Sequence, residues 1–296
     1  MRLRKEVVAL IGATACWGSS VVTVKVASRG LTTWAVTAIE LVTTLLILGA
    51  AVAIGRTTLR QPAWALVFAG VLEPALAYVL FNAGLARTSG THAAVIIGLQ
   101  SLMVVALAAL IHRQAPTRWV ILGLGLALVG LIAVTSTHSS GSPSLTGDVM
   151  VLLGVACAAG YVVVAHGVAQ RYEAVELTFY QFLFGSLALV PVVAFSLAST
   201  HQSIVVGASA MEIGAAVATG IFGSALGFLL YNKALQDISP TLAGAGLTLI
   251  PVFGVIFAAI FLGETLTLGI VLGGLLVITG VAIATTSGST RSSGST

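Results

Sequence analysis

Stretches of about 20 apolar residues follow one another along almost the whole chain, each as long as a helix must be to cross a hydrocarbon core. Nothing else in the sequence restricts the fold as much. Windows of that length give ten candidates: 7–28, 32–54, 63–85, 91–111, 119–137, 147–169, 175–198, 211–234, 241–262 and 268–286. A helix suits them because it satisfies each interior backbone amide within its own segment, where hydrocarbon offers no partner. Composition agrees. The chain is 58% hydrophobic and 7% charged, against about a quarter charged in soluble domains, so a soluble surface cannot be built from it. The expected fold is an all-α polytopic membrane protein of ten transmembrane helices.

The thirteen Lys and Arg fall mostly in the connections, so the net charge of +4 reports orientation rather than a nucleic-acid partner. With the N-terminus inside, Arg2, Arg4, Lys5, Arg56, Arg60, Arg113, Arg118, Arg171, Lys233 and Arg291 are cytoplasmic, while Lys25, Arg29 and Arg87 lie opposite. The excess predicts both termini in the cytoplasm of a multi-pass protein of the plasma or inner membrane. The opening MRLRKEVVALIGATAC imitates a signal peptide, but its apolar run continues to about Ala27 and reads as an uncleaved first span. Cys16 and Cys157 sit inside apolar segments without metal-ligand spacing and read as packing residues.

Sliding the chain by 150 residues aligns YVLFNAGLARTSGTHAAV with FLLYNKALQDISPTLAGA, so that Asn82 meets Asn232, Leu85 meets Leu235 and Ser89 meets Ser239. The same shift pairs Thr117 with Thr267, Gly123 with Gly273 and Gly130 with Gly280. A register held through polar positions marks an internal repeat. The expected organisation is a first five-span repeat at 1–136, an extracytoplasmic linker at 137–146, a second five-span repeat at 147–286, and a disordered polar tail at 287–296. An odd number of spans per repeat sets the two halves in opposite orientations, an inverted repeat.

The second half, ALQDISPTLAGAGLTLIPVFGVIFAAIFLGETLTLGIVLGGLLVITGVAI, resembles the ten-span EamA-type members of the drug/metabolite transporter superfamily. Pro251 and the Gly263-Glu264 pair match that family's ninth span, and Trp17-Gly18-Ser19 matches its first. The first half departs from the pattern. Ser101 and Gln114 stand where the family repeats the proline and glutamate, and Glu40 stands near a position where the family often has a basic residue. The resemblance implies transport of small organic molecules through a cavity between the halves, often in the export direction.

The stretch VLEPALAYVLFNAGLARTS holds the most conspicuous chemistry. Glu73 lies near the middle of the third span, where a charge costs about 2.5–3.5 kcal/mol on insertion scales and therefore faces protein or a water-filled cavity. It is the candidate for substrate binding and proton coupling; the alternative is a protonated carboxyl that bonds a neighbouring helix. Pro74 removes a backbone hydrogen bond beside it and is, with Pro251, a candidate hinge; Pro191 marks a further one. Thr33, Thr37, Glu40 and Thr44 share one helix face, which should turn inward. Lys25 can reach down to pair with Glu40 or snorkel to the interface. Trp17, Tyr78, Tyr161 and Tyr180 are candidates to line the cavity, each with an apolar face and a polar tip, whereas Trp34, Trp64 and Trp119 fall at span ends and suit the aromatic belt. Asn82 and Asn232 read as structural bridges, Glu264 as a support for the end of span nine, and His166 as a further proton-carrier candidate or a solvated helix-end residue.

These features predict a secondary transporter working by alternating access, proton-coupled or uncoupled, for small metabolites such as amino acids or drug-like solutes. The alternatives are a channel or scramblase, and an intramembrane enzyme using Glu40 and Glu73. No G-x-x-x-x-G-K-[ST], H-E-x-x-H or G-x-S-x-G is present, so no ATP site, cofactor, metal or catalytic residue is expected. The expected partners are a small-molecule solute and the lipid bilayer, with a homodimer as an option.

Overall fold

Apolar helices in this chain start where short polar side chains take the free amides of a first turn. The Thr32 hydroxyl accepts from Ala35 N–H at 3.2 Å and that of Ser239 from Leu242 N–H at 3.3 Å. Ser209 and Glu212 form a reciprocal capping box. A computed structural model describes residues 3–55, 57, 59–88, 93, 96–112, 116–135, 144–199, 208–263 and 268–288. Every regular element among them is helical: α1 (Leu3–Ala27), α2 (Thr33–Ile54), α3 (Trp64–Gly70), α4 (Ala77–Leu85), α5 (Gln100–His112), α6 (Arg118–Thr135) and α7 (Leu145–Ala169). There follow α8 (Ala174–Ser199), α9 (Ala210–Ala218), α10 (Gly227–Leu235), α11 (Pro240–Leu247), α12 (Ile250–Leu262) and α13 (Leu268–Gly288).

Counting α3–α4, α9–α10 and α11–α12 each as one interrupted helix, seven of the described helices are long and apolar enough to cross a membrane. Three shorter apolar helices, Ile96–Ile111, Arg118–Ala133 and Val271–Ala284, accompany them. The outer surface carries Leu46, Ile54, Leu110, Phe195, Ile260 and Phe261 in exposed positions, a surface suited to lipid tails rather than water. The chain is therefore a multi-pass membrane protein. Trp64 and Trp119 are exposed, as belt residues should be, whereas Trp34 is half-buried and packs on the core.

Some expected features shift or fall outside the described residues. Ser144 caps α7, which begins at Leu145, so the linker expected at 137–146 ends earlier, and residues 137–143 lie outside the described set. Helix α13 reaches Gly288 and takes in the first residues of the expected tail, while 289–296 lie outside. Ser89, Gln114, Glu264 and Thr267 lie outside as well.

Packing between helices relies on missing side chains, since association in lipid is driven by close van der Waals contact. A methyl group added to Gly123 of α6 would stand 2.4 Å from the Gly280 carbonyl oxygen of α13, and one on Gly130 would stand 2.5 Å from that of Gly273. The two helices thus run antiparallel in near backbone contact. The interior between the remaining helices is closed by Leu66, Val104, Tyr161, Phe182, Phe228 and Tyr231, all buried.

Candidate functional site

Where the third apolar segment meets Glu73-Pro74, the helix is broken. Glu73 has extended angles, φ −147° and ψ 120°, between α3 and α4, and its peptide bond to Pro74 is cis. A break at this depth frees backbone groups that only protein can satisfy. Gln181 of α8 supplies one partner, its Nε2 donating to the Glu73 carbonyl at 3.2 Å. The same helix makes room for the proline, because a methyl on Gly185 would stand 2.4 Å from Pro74 Cδ.

Among the described residues the helical path changes in three further places. Thr219–Leu226 forms a wide turn between α9 and α10, Thr248 and Leu249 separate α11 from α12, and Leu99 breaks the helical path just before α5. Contacts at the two wide turns match. A methyl on Gly70 would stand 2.4 Å from the Gln181 carbonyl, and one on Gly220 would stand 2.8 Å from the Glu40 carbonyl. At the second turn Thr44 of α2 donates to the Gly220 carbonyl at 3.2 Å, as Gln181 does to that of Glu73.

Between the breaks lies a cavity of about 200 Å³ lined by Trp17, Glu73, Tyr78, Gln100, Tyr161, Val162, Phe228, Tyr231, Leu247 and Ile250. Its walls come from α1, α4, α5, α7, α10, α11 and α12, and from the extended link at Glu73. Trp17 meets Phe228 and Tyr231 with ring centroids 5.0 and 5.1 Å apart, and Tyr161 meets Phe228 at 5.8 Å. Among the described residues no hydrogen bond reaches the Glu73 carboxyl, which lies within electrostatic reach of the hydroxyls of Tyr78, Tyr161 and Tyr231. The Tyr231 hydroxyl is fully buried and has no partner among the described residues. Two other clefts beside α12 are almost wholly apolar, while a larger one of about 690 Å³ between α1, α9 and α12 carries Ser19, Thr23 and Arg29.

Four of the sequence candidates therefore share one cavity: Trp17, Glu73, Tyr78 and Tyr161. Glu40 stands behind its wall. The buried Glu40 carboxyl accepts from the Tyr78 hydroxyl at 3.1 Å and from the Ser224 hydroxyl, joining α2, α4 and the second wide turn. Thr37 and Thr44 turn inward with Glu40, while Thr33 is exposed. Lys25 is exposed near the end of α1, and the hydrogen bonds at the Glu40 carboxyl come from Tyr78 and Ser224 instead.

Tyr180 also stands apart from the cavity. Its hydroxyl donates to the Arg60 carbonyl at 2.6 Å, in the connection before α3, and its ring stacks on Phe184. Pro191 lies inside α8, and Pro251 in the first turn of α12, just after the interruption at Thr248 and Leu249. Asn232 ties three helices together, accepting from Tyr161 at 2.6 Å and donating to Thr178 and Gln181 at 3.0 and 3.1 Å. His166 Nδ1 meets the Leu235 carbonyl at 3.1 Å, joining α7 to α10. Sequence reasoning missed Tyr231, Phe228 and Gln100; the only signal was the register in which Tyr231 pairs with Phe81 and Phe228 with Tyr78.

Comparison with known proteins bears on the whole chain. The EamA-like transporter family matches it twice, over residues 4–136 and 145–286. An uncharacterized transporter of Archaeoglobus fulgidus is 28% identical over 218 residues, covering 73% of this chain and 76% of its own. The uncharacterized transporter YyaM of Bacillus subtilis is 28% identical over 236 residues, 78% of this chain and 76% of that one. A probable terminal-alkyne amino-acid exporter of Streptantibioticus cattleyicolor is 26% identical over 294 residues, covering 96% and 94%. One crystal structure superimposes with a TM-score of 0.78 at 18% identity, covering 95% of this chain and 96% of that one, a likeness of fold. With both halves of the sequence matched and the helices long and apolar, the chain belongs to the EamA-like transporter family.

Proposed function

We propose that the chain is a secondary transporter that exports small organic solutes across the cytoplasmic membrane by alternating access. The observation that carries this reading is the cavity at Glu73, an acid in a broken helix, walled by helices from both family matches. Sites of that construction are where transporters hold solutes and coupling ions. The long and short apolar helices together make ten spans in two inverted halves, with both termini cytoplasmic. Support for the inversion comes from α6 and α13: a shift of 150 residues exchanges Gly123 with Gly273 and Gly130 with Gly280, and the contacts made are Gly123–Gly280 and Gly130–Gly273. A two-fold relation between the halves requires that pairing. Pro74 and Pro251, each beside an interruption, serve as hinges, and Glu73 carries the coupling proton.

Amino acids and drug-like solutes come first in a screen, in line with the probable amino-acid exporter among the relatives. The test is uptake of a mixed solute pool into proteoliposomes, with and without a pH gradient, for the intact chain and Glu73→Gln. The expected result is gradient-dependent uptake in the intact chain and loss of the gradient response in the variant. A variant that transports with unchanged pH dependence removes Glu73 from coupling, and an intact chain that moves no solute removes the transport reading.

A further inference from the structure

The Glu73 cavity combines one acid, five aromatic rings and an amide, and among its described lining there is no lysine, arginine or histidine. A carboxylate at this depth is costly unless something cationic offsets it. The rings of Trp17, Tyr78, Tyr161, Phe228 and Tyr231 present negative faces, which attract a weakly hydrated cation.

We infer that this cavity binds a small monovalent organic ammonium ion, its charged nitrogen beside Glu73 and its alkyl part against the rings of Trp17 and Phe228. The inference rests on the transport reading of the same cavity and narrows its solute. An N–H of the ammonium donates to the carboxylate of Glu73, which balances its charge. A divalent metal fits poorly, since no group of three or more His, Cys, Asp or Glu comes together among the described residues. A zwitterion fits poorly as well, because its own carboxylate would enter a lining that already holds Glu73. The cavity of about 200 Å³ leaves room for an amine with a short branched chain.

The experiment measures binding to the purified full chain in detergent at neutral pH, using three ligands with one branched alkyl group: isopentylamine, isopentanol and leucine. The first is a cation, the second its neutral counterpart, and the third adds a carboxylate. The amine is expected to bind at least about tenfold more tightly than the other two. Glu73→Gln is expected to lose about tenfold of the amine affinity and leave the alcohol unchanged. Alcohol or leucine binding as tight as the amine overturns the inference, and because that comparison uses the intact chain, a variant that fails to fold does not obscure it. Equal amine affinity in a folded Glu73→Gln also overturns it. The two readings separate in proteoliposomes: amine bound through Glu73 with no solute moved keeps the site and removes transport, whereas leucine transported with no amine bound or moved keeps transport and removes the ammonium site.

Discussion

Asn232 is fully buried among apolar helices, yet all its described polar contacts are made within the protein: Tyr161 donates to it, and it donates to Thr178 and Gln181. Gln181 in turn donates to the Glu73 carbonyl, so one chain of hydrogen bonds runs from a cavity tyrosine to the broken backbone at the acid. Replacing Asn232 by leucine strands the buried Tyr161 hydroxyl and the Gln181 amide oxygen, each costing about 1–3 kcal/mol. The thermal unfolding midpoint in detergent should fall clearly for Asn232→Leu. Its counterpart in the first half, Asn82, is half-buried with no side-chain hydrogen bond among the described residues, so Asn82→Leu should change stability by less than about 0.5 kcal/mol. Equal drops in the two variants would show that the network around Asn232 is not what holds it. Glu73 was legible because an acid beside proline is conspicuous in an apolar run, and Trp17, Tyr78 and Tyr161 were legible as rings with an apolar face and a polar tip. Tyr231 was not, since nothing in an apolar sequence marks which aromatic faces a cavity. Tyr180 misled for a geometric reason: it lies roughly two turns into α8, and helix side chains tilt toward the N-terminus, so its hydroxyl reaches back to the Arg60 connection.

At the scale of elements, the windows located the helices to within a few residues, because hydrocarbon thickness alone sets their length. The interruptions were legible only where a proline marked them. Thr219–Leu226 widens into a π-helical turn and Leu99 breaks the path without one; at the former the contacts are tertiary, with Gly220 against the Glu40 carbonyl and Thr44 on the Gly220 carbonyl. Glycine pairs were equally ambiguous in a chain with 33 glycines. The structure separates them. Gly123→Ala places a methyl 2.4 Å from the Gly280 carbonyl, whereas Gly125, two residues away on the same helix, has nothing within 4 Å of an added Cβ. Overpacking of that kind costs about 1–3 kcal/mol. Gly123→Ala should therefore lower the unfolding midpoint, and Gly125→Ala should leave it unchanged or raise it slightly through better helix propensity. The reverse order would mean that α6 and α13 do not meet through these glycines.

For the molecule as a whole, the proposed rocking requires contacts between the halves that break in one state and form in the other. The end carrying Arg60 and Arg171, cytoplasmic in the proposed orientation, has such a seam. Arg60 N–H donates to Glu176 at 2.6 Å and its guanidinium to the Arg171 carbonyl at 2.6 Å, while Tyr172 accepts from Ala63 N–H and donates to the Gln61 carbonyl, both at 3.0 Å. At the opposite end Thr88 donates to Asp148 at 2.5 Å and accepts from Ser144 N–H at 3.4 Å. Tyr172→Phe removes two hydrogen bonds from the first seam, and at about 1 kcal/mol each that shifts a two-state equilibrium by roughly tenfold or more toward the form open at that end. Thr88→Val should shift it the other way. The measurement is the rate at which a membrane-impermeant maleimide labels Gln100→Cys, a cavity position, in a chain also carrying Cys16→Ser and Cys157→Ser, with reagent supplied from one side at a time. Tyr172→Phe should speed labelling from the Arg60 side by about tenfold and slow it from the Thr88 side, with Thr88→Val giving the mirror result. Faster labelling from both sides would mean a loosened bundle rather than rocking halves, and unchanged rates would mean that the seam does not gate the cavity.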